Sequence, residues 1–115
     1  MEKIEETLKK LSNAHGISGY EEEIREIIKE ELEEYVDEIK VDTLGNTIAI
    51  KNGSKPSVMI AAHMDEIGLM VKYIDENGFI HFIKCGGWFD QTLLNERVIL
   101  HTPEGKFFGV IGSKP

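Results

Sequence analysis

Apolar residues recur first with a helical period. Ile4, Leu8 and Leu11 follow i, i+4, i+7 spacing and share one face. They predict a short amphipathic helix that stops near His15-Gly16, where glycine can take the left-handed cap conformation. Ser18-Gly-Tyr-Glu21 then has the S-x-x-E form of a capping box. A second helix is expected from about Tyr20 to Tyr35, burying Ile24, Ile27, Ile28 and Leu32, with Tyr20 in a packing role.

After Val36 the period changes to short β-type runs. Glu38–Val41 and Thr47–Lys51 flank the turn-forming cluster Asp42-Thr-Leu-Gly-Asn46 and predict an antiparallel pair. Lys51-Asn-Gly-Ser-Lys-Pro56 is a second turn. Ser57-Val-Met-Ile-Ala-Ala62 is apolar throughout without alternation, the pattern of a central strand covered on both faces. From Gly68 onward the chain reads as all-β. Leu69–Ile74 and Phe79–Ile83 flank Asp75-Glu-Asn-Gly78, and Arg97–His101 and Lys106–Ile111 flank Thr102-Pro-Glu-Gly105, so two hairpins are expected. Gly86-Gly87-Trp88 and Asp90–Glu96 form an irregular connection between them, with room for one helical turn. The pattern thus passes from helix plus sheet to small-barrel character near residue 68.

Composition narrows the class. The 115 residues are 41% hydrophobic and 30% charged, within the range of a globular chain and too apolar for a disordered one. At this length roughly two-thirds of the unfolded surface is expected to be buried. The single cysteine, Cys85, points to a reducing compartment, and no apolar window reaches the ~18 to 20 residues of a membrane span. The N-terminus also lacks the apolar stretch of a signal peptide. A cytoplasmic protein without membrane contact is expected. Net charge is 13 − 21 = −8, and all of it falls in residues 1–38, which hold 13 acidic and 5 basic side chains. An acidic surface with no basic stripe opposes nucleic-acid binding. The glutamate runs read as the solvated faces of helices.

Chemistry concentrates at His63-x-Asp65, directly after the apolar run. Open α/β sheets bind ligands beyond the carboxyl ends of their strands. Imidazole is a common metal ligand, and a metal-bound histidine usually gives its second N–H to a carboxylate or carbonyl that fixes the tautomer. Asp65 could serve as that partner, and Glu66 adds a third ionisable group. A polar strand end facing water fits the same spacing. A catalytic zinc takes about three protein ligands, which His15, His81 and His101 do not supply: His15 falls in a helix C-terminal turn, and the other two fall inside hairpin strands. Nucleophile-elbow, phosphate-loop, H-E-x-x-H and C-x-x-C patterns are absent.

Met59-Ile-Ala-Ala-His63-Met-Asp65-Glu-Ile-Gly68-Leu-Met-Val resembles the first metal-site motif of the glutamyl aminopeptidase and tetrahedral aminopeptidase family, cytoplasmic exopeptidases with two zinc or cobalt ions. Leu11-Ser-x-Ala-x-Gly16-Ile-Ser-Gly19-Tyr-Glu and Asp42-x-Leu-Gly45-Asn46 are similar to the same family. So are Gly86-Gly87-Trp88 with Gln91, Leu94, Arg97 and Val98, leading into His101-Thr, and Gly109-Val-Ile-Gly112-Ser-Lys-Pro115. The family's chain is about three times longer. The resemblance implies an α/β fold in which residues 1–67 are the N-terminal part of a zinc-peptidase-like catalytic domain. Residues 68–115 would be the first part of an inserted, β-barrel-like domain used in dimerisation and assembly. It further implies that His63 is a metal ligand and that Asp65 is the catalytic carboxylate orienting it. The remaining ligands and the general base are expected from sequence beyond Pro115, with peptides as substrates and homo-oligomers as the assembled form. On that reading the 115 residues alone are inactive. Two rivals stand beside it: a non-catalytic assembly module built on the β-rich half, and a glycoside hydrolase of the endoglucanase type.

Overall fold

The computed structural model describes residues 2–113. Lys114 and Pro115, the end of the last family-like motif, lie outside them. The chain divides into two compact units, Met1–Gly68 and Leu69–Pro115.

In the first unit, helix α1 spans Glu2–Asn13 and helix α2 spans Glu22–Glu33. Ions on facing sides link them: Lys10 Nζ lies 2.8 Å from Glu31, and Lys3 Nζ lies 3.1 Å from Glu34 while also donating to the Tyr35 hydroxyl. Such exposed pairs contribute little each. The apolar contact is tighter. Ile24 on α2 is buried, and a Cβ on Gly16 would lie 2.6 Å from Ile24 Cγ2, so glycine lets the turn after α1 close on α2. The expected face of α1 is less covered than its periodicity suggests, with Ile4 and Leu8 exposed.

Strands β1 (Glu38–Val41) and β2 (Thr47–Ile50) pair antiparallel, with Ile39 opposite Ala49 and Val41 opposite Thr47. Asp42 builds their turn. Its Oδ1 accepts the Leu44 and Asn46 N–H groups at 2.9 Å, its Oδ2 accepts the Asn46 side-chain amide at 2.8 Å, and Gly45 takes φ +88°. Arg25 of α2 donates from Nε to the Gly45 carbonyl at 3.0 Å, tying helix to hairpin.

The central strand expected at Ser57–Ala62 is not formed. Those residues lie outside every strand, and Val58, Met59 and Ile60 are 84%, 89% and 91% exposed. An apolar run becomes a buried strand only when other strands accept its hydrogen bonds and other layers cover its faces. The described residues provide neither.

In the second unit, β3 (Gly68–Ile74) pairs with β4 (Ile80–Cys85) and β5 (Arg97–Thr102) pairs antiparallel with β6 (Gly105–Val110). One 3-10 turn, Asp90–Thr92, lies in the irregular connection. Leu93 and Ile111 are its buried apolar residues. Backbone bonds hold them near each other: Asn95 N–H donates to Ile111 O at 2.9 Å, and Ile111 N–H donates to Glu96 O at 3.0 Å. Among the described residues the six strands form three two-stranded sheets.

The chain exposes 9964 Å², where a compact monomer of its mass would expose about 6,300 Å². Burial therefore falls well short of the two-thirds expected from length. Four apolar residues, Ala14, Ile24, Leu93 and Ile111, make up the described core.

Candidate functional site

Residues 51–65 run without regular structure until the chain meets the turn that joins α1 to α2. That turn is closed by the Tyr20 N–H donating to the Ile17 carbonyl at 2.8 Å, with Gly19 at φ +85°. It grips the segment beyond His63 through a reciprocal pair. Glu66 N–H donates to the Gly16 carbonyl at 2.7 Å, and the Glu66 carboxylate accepts the Gly16 N–H at 3.2 Å. Ile17 and Glu66 form an isolated parallel bridge. Glu66, a third candidate by residue type, thus spends both its backbone and its carboxylate on anchoring.

His63 and Asp65 are brought together. His63 Nδ1 lies 3.0 Å from the Asp65 carbonyl oxygen and 3.3 Å from Asp65 Oδ1. A carbonyl oxygen only accepts, so this geometry assigns the proton to Nδ1 and the lone pair to Nε2. The His63 side chain is 85% exposed and that of Asp65 40%, leaving the ring open to a ligand. A strand would make contact between residues two apart depend on side-chain geometry alone. Here the backbone is irregular and the ring instead meets the carbonyl of residue 65.

Asp65 has a second partner that sequence reasoning assigned elsewhere. The Ser18 hydroxyl donates to Asp65 Oδ2 at 2.5 Å. That bond, first among the causes, holds the Asp65 carboxyl below its ordinary pKa, with the nearby His63 acting in the same direction. Ser18 is therefore not a helix cap: α2 begins after Glu21 with no side-chain capping bond, and Glu21 Oε1 accepts the Gly19 N–H at 2.6 Å. The Ser-Gly-Tyr-Glu motif marked this serine as important, but only its distant partner reveals the use.

His81 Nε2 lies 3.1 Å from Asp75 Oδ2, and its ring stacks on Tyr73 at 4.3 Å between centroids. His101 sits on β5 opposite Lys106. Among the described residues no group of three His, Cys, Asp or Glu side chains is arranged to hold a metal ion. The exposed His63 Nε2 offers one donor position.

The class that the fold defines is small α/β, and its candidate site is an exposed imidazole with Nδ1 held by Asp65. Comparison with known proteins narrows it. The profile of the M42 glutamyl aminopeptidase family matches residues 45–115. A lysyl aminopeptidase of Pyrococcus furiosus is 43% identical over 96% of this chain and 32% of its own length. The crystal structure of a TET aminopeptidase from a marine sediment archaeon, Thaumarchaeota archaeon SCGC AB-539-E09, superposes with a TM-score of 0.90 at 40% identity, covering all of this chain and 33% of that one. The TET1 peptidase of Pyrococcus horikoshii, described as assembling into a tetrahedron or a large octahedral shell, gives 0.85 at 42% identity over 97% of this chain and 34% of its own. The chain belongs to the M42 glutamyl aminopeptidase family. It spans about a third of the length of the relatives it matches.

Proposed function

We propose that this chain is the N-terminal part of a metal-dependent aminopeptidase that removes residues from the free amino end of peptides. Residues 1–67 begin its catalytic α/β domain, and residues 68–115 begin an inserted, barrel-like β-rich domain through which it assembles into homo-oligomers in the cytoplasm. The observation that carries the catalytic reading is the His63 ring, with Nδ1 engaged by Asp65 and Nε2 left as the donor. Family membership supports the peptidase class, and the described assembly of the TET1 relative supports the oligomer.

His63 would hold one ion of a zinc or cobalt pair. Ions bound there would supply Lewis-acid chemistry for peptide hydrolysis. The chain's own contribution is orientation. Asp65 fixes the imidazole tautomer and keeps a negative charge beside the ring, which raises the donor strength of Nε2.

The test is hydrolysis of leucyl and glutamyl anilides by the full-length polypeptide and by residues 1–115, each with added cobalt. The full-length polypeptide is expected to be active, to lose activity on chelation and to lose it in the His63→Ala variant. Residues 1–115 are expected to be inactive, because one histidine cannot retain a dinuclear centre. Robust turnover by residues 1–115, or a His63→Ala enzyme with wild-type metal content and rate, overturns the reading.

A further inference from the structure

Asp65 stands between two groups rather than one. Its Oδ1 faces His63 Nδ1 at 3.3 Å, while its Oδ2 accepts the Ser18 hydroxyl at 2.5 Å. A carboxylate without such a bond can swing about its side-chain torsions; the serine holds Oδ2 and so keeps Oδ1 beside the ring. The serine is itself on a fixed support. The Gly16–Tyr20 turn is joined to Glu66 by the reciprocal backbone and carboxylate bonds, and a Cβ on Gly68 would lie 2.0 Å from Ile17 Cγ2. The two segments therefore approach as closely as glycine permits. Ser18 makes no capping bond to α2, so helix initiation does not account for its hydroxyl.

We propose that Ser18 is a positioning residue for the His63–Asp65 pair: its hydroxyl locks the Asp65 carboxylate so that Oδ1 stays beside His63 Nδ1, whose proton the Asp65 carbonyl accepts, leaving Nε2 free to bind. The proposal rests on the reading of His63 as a metal ligand for its catalytic consequence, but its structural core does not need a metal. Ser18 acts through Asp65, the partner to which its hydroxyl is bonded. Losing it leaves the carboxylate free to rotate away from Nδ1, so that the ring keeps only its bond to the Asp65 carbonyl.

The experiment uses the full-length polypeptide with Ser18→Ala, Ser18→Thr, Asp65→Asn and the Ser18→Ala/Asp65→Asn double variant. In metal-free protein, the imidazole nitrogen shifts of His63 report its tautomer. Ser18→Ala is expected to move the Nδ1 shift away from its wild-type value as the carboxylate leaves the ring, while Ser18→Thr, which keeps the hydroxyl, stays near wild type. In loaded protein, Ser18→Ala is expected to lower zinc affinity or kcat by about 10- to 100-fold, the usual range for groups that support a ligand, with KM within about twofold. The double variant should be no worse than Asp65→Asn alone, since Ser18 works only through that carboxylate. Should Ser18→Ala fail to fold by circular dichroism, Ser18→Cys, of similar size and a weak donor, takes its place in the same measurements. Wild-type His63 nitrogen shifts in Ser18→Ala, or fully additive losses in the double variant, overturn the proposal. If the His63 nitrogen shifts move in Ser18→Ala while His63→Ala leaves zinc binding intact, the positioning role stands and the metal-ligand reading falls. If His63→Ala abolishes zinc binding while Ser18→Ala changes nothing, the reverse holds.

Discussion

At Gly68 the absence of one methyl group decides whether the segment after Asp65 can close on the Ile17 turn. A Cβ there would meet Ile17 Cγ2 at 2.0 Å and Ile17 Cβ at 3.2 Å, so alanine forces the turn or the side chain aside. Gly68→Ala is expected to cost about 1–3 kcal/mol, the range for overpacking a close contact, measured by urea unfolding of the full-length polypeptide. The same substitution should disturb the His63 nitrogen shifts, because Ile17 is next to Ser18, which holds the Asp65 carboxylate beside the ring. Gly78→Ala, with no atom within 4 Å of the added methyl but with φ +85°, tests backbone strain alone; it should lower stability without touching His63. The identity of His63 and Asp65 as candidates was legible from their types and spacing. The use of Ser18 was not, because S-x-x-E is a local capping pattern and its actual partner lies 47 residues away.

Elements with local signals formed as read. Asp42-Thr-Leu-Gly-Asn46 carries its own carboxylate acceptor and a glycine for the positive-φ position, so the β1–β2 hairpin needs nothing distant. The Asn46 side-chain amide, then the Asn46 backbone N–H, hold the Asp42 carboxyl below its ordinary value, with Leu44 and Gly45 N–H groups adding to it. A depressed folded pKa means that the stabilisation is fully present above the unfolded value, about 3.9, and is lost as pH falls through the folded value. Asp42→Asn should therefore lower the thermal midpoint at pH 7, and the gap between variant and wild type should narrow as pH drops below about 3.9. A gap that stays constant down to the acid limit would show that the turn does not depend on the charge. The second and third hairpins were likewise announced by Asp75-Glu-Asn-Gly78 and Thr102-Pro-Glu-Gly105, with ends shifted by one or two residues. Ser57–Ala62 failed for the opposite reason. Its β-type composition is intrinsic, but a strand is a relation between segments, and its apolar side chains remain exposed.

For the whole molecule, the excess of exposed area is the governing fact. About 3,600 Å² beyond the compact expectation leaves little hydrophobic stabilisation to offset chain entropy. Residues 1–115 expressed alone should bind a hydrophobic dye strongly and unfold over a broad denaturant range with a low m-value, whereas the full-length polypeptide should unfold cooperatively and bind the dye weakly. A sharp, dye-free transition for residues 1–115 would contradict this. The same exposed surface includes Val58, Met59 and Ile60, immediately before His63, so the site and the least covered part of the chain are adjacent in sequence.

By itself the sequence determined the two helices, the three hairpins and the pair of residues at which chemistry was to be sought, because periodicity, turn chemistry and side-chain type are carried by neighbours along the chain. Only the tertiary structure decided that Ser18 serves Asp65 instead of α2, that Glu66 anchors rather than waits for a ligand, and that the apolar run before His63 stays uncovered. Each of those depends on which distant segment supplies the hydrogen-bond partner or the covering surface, and no local pattern encodes that choice.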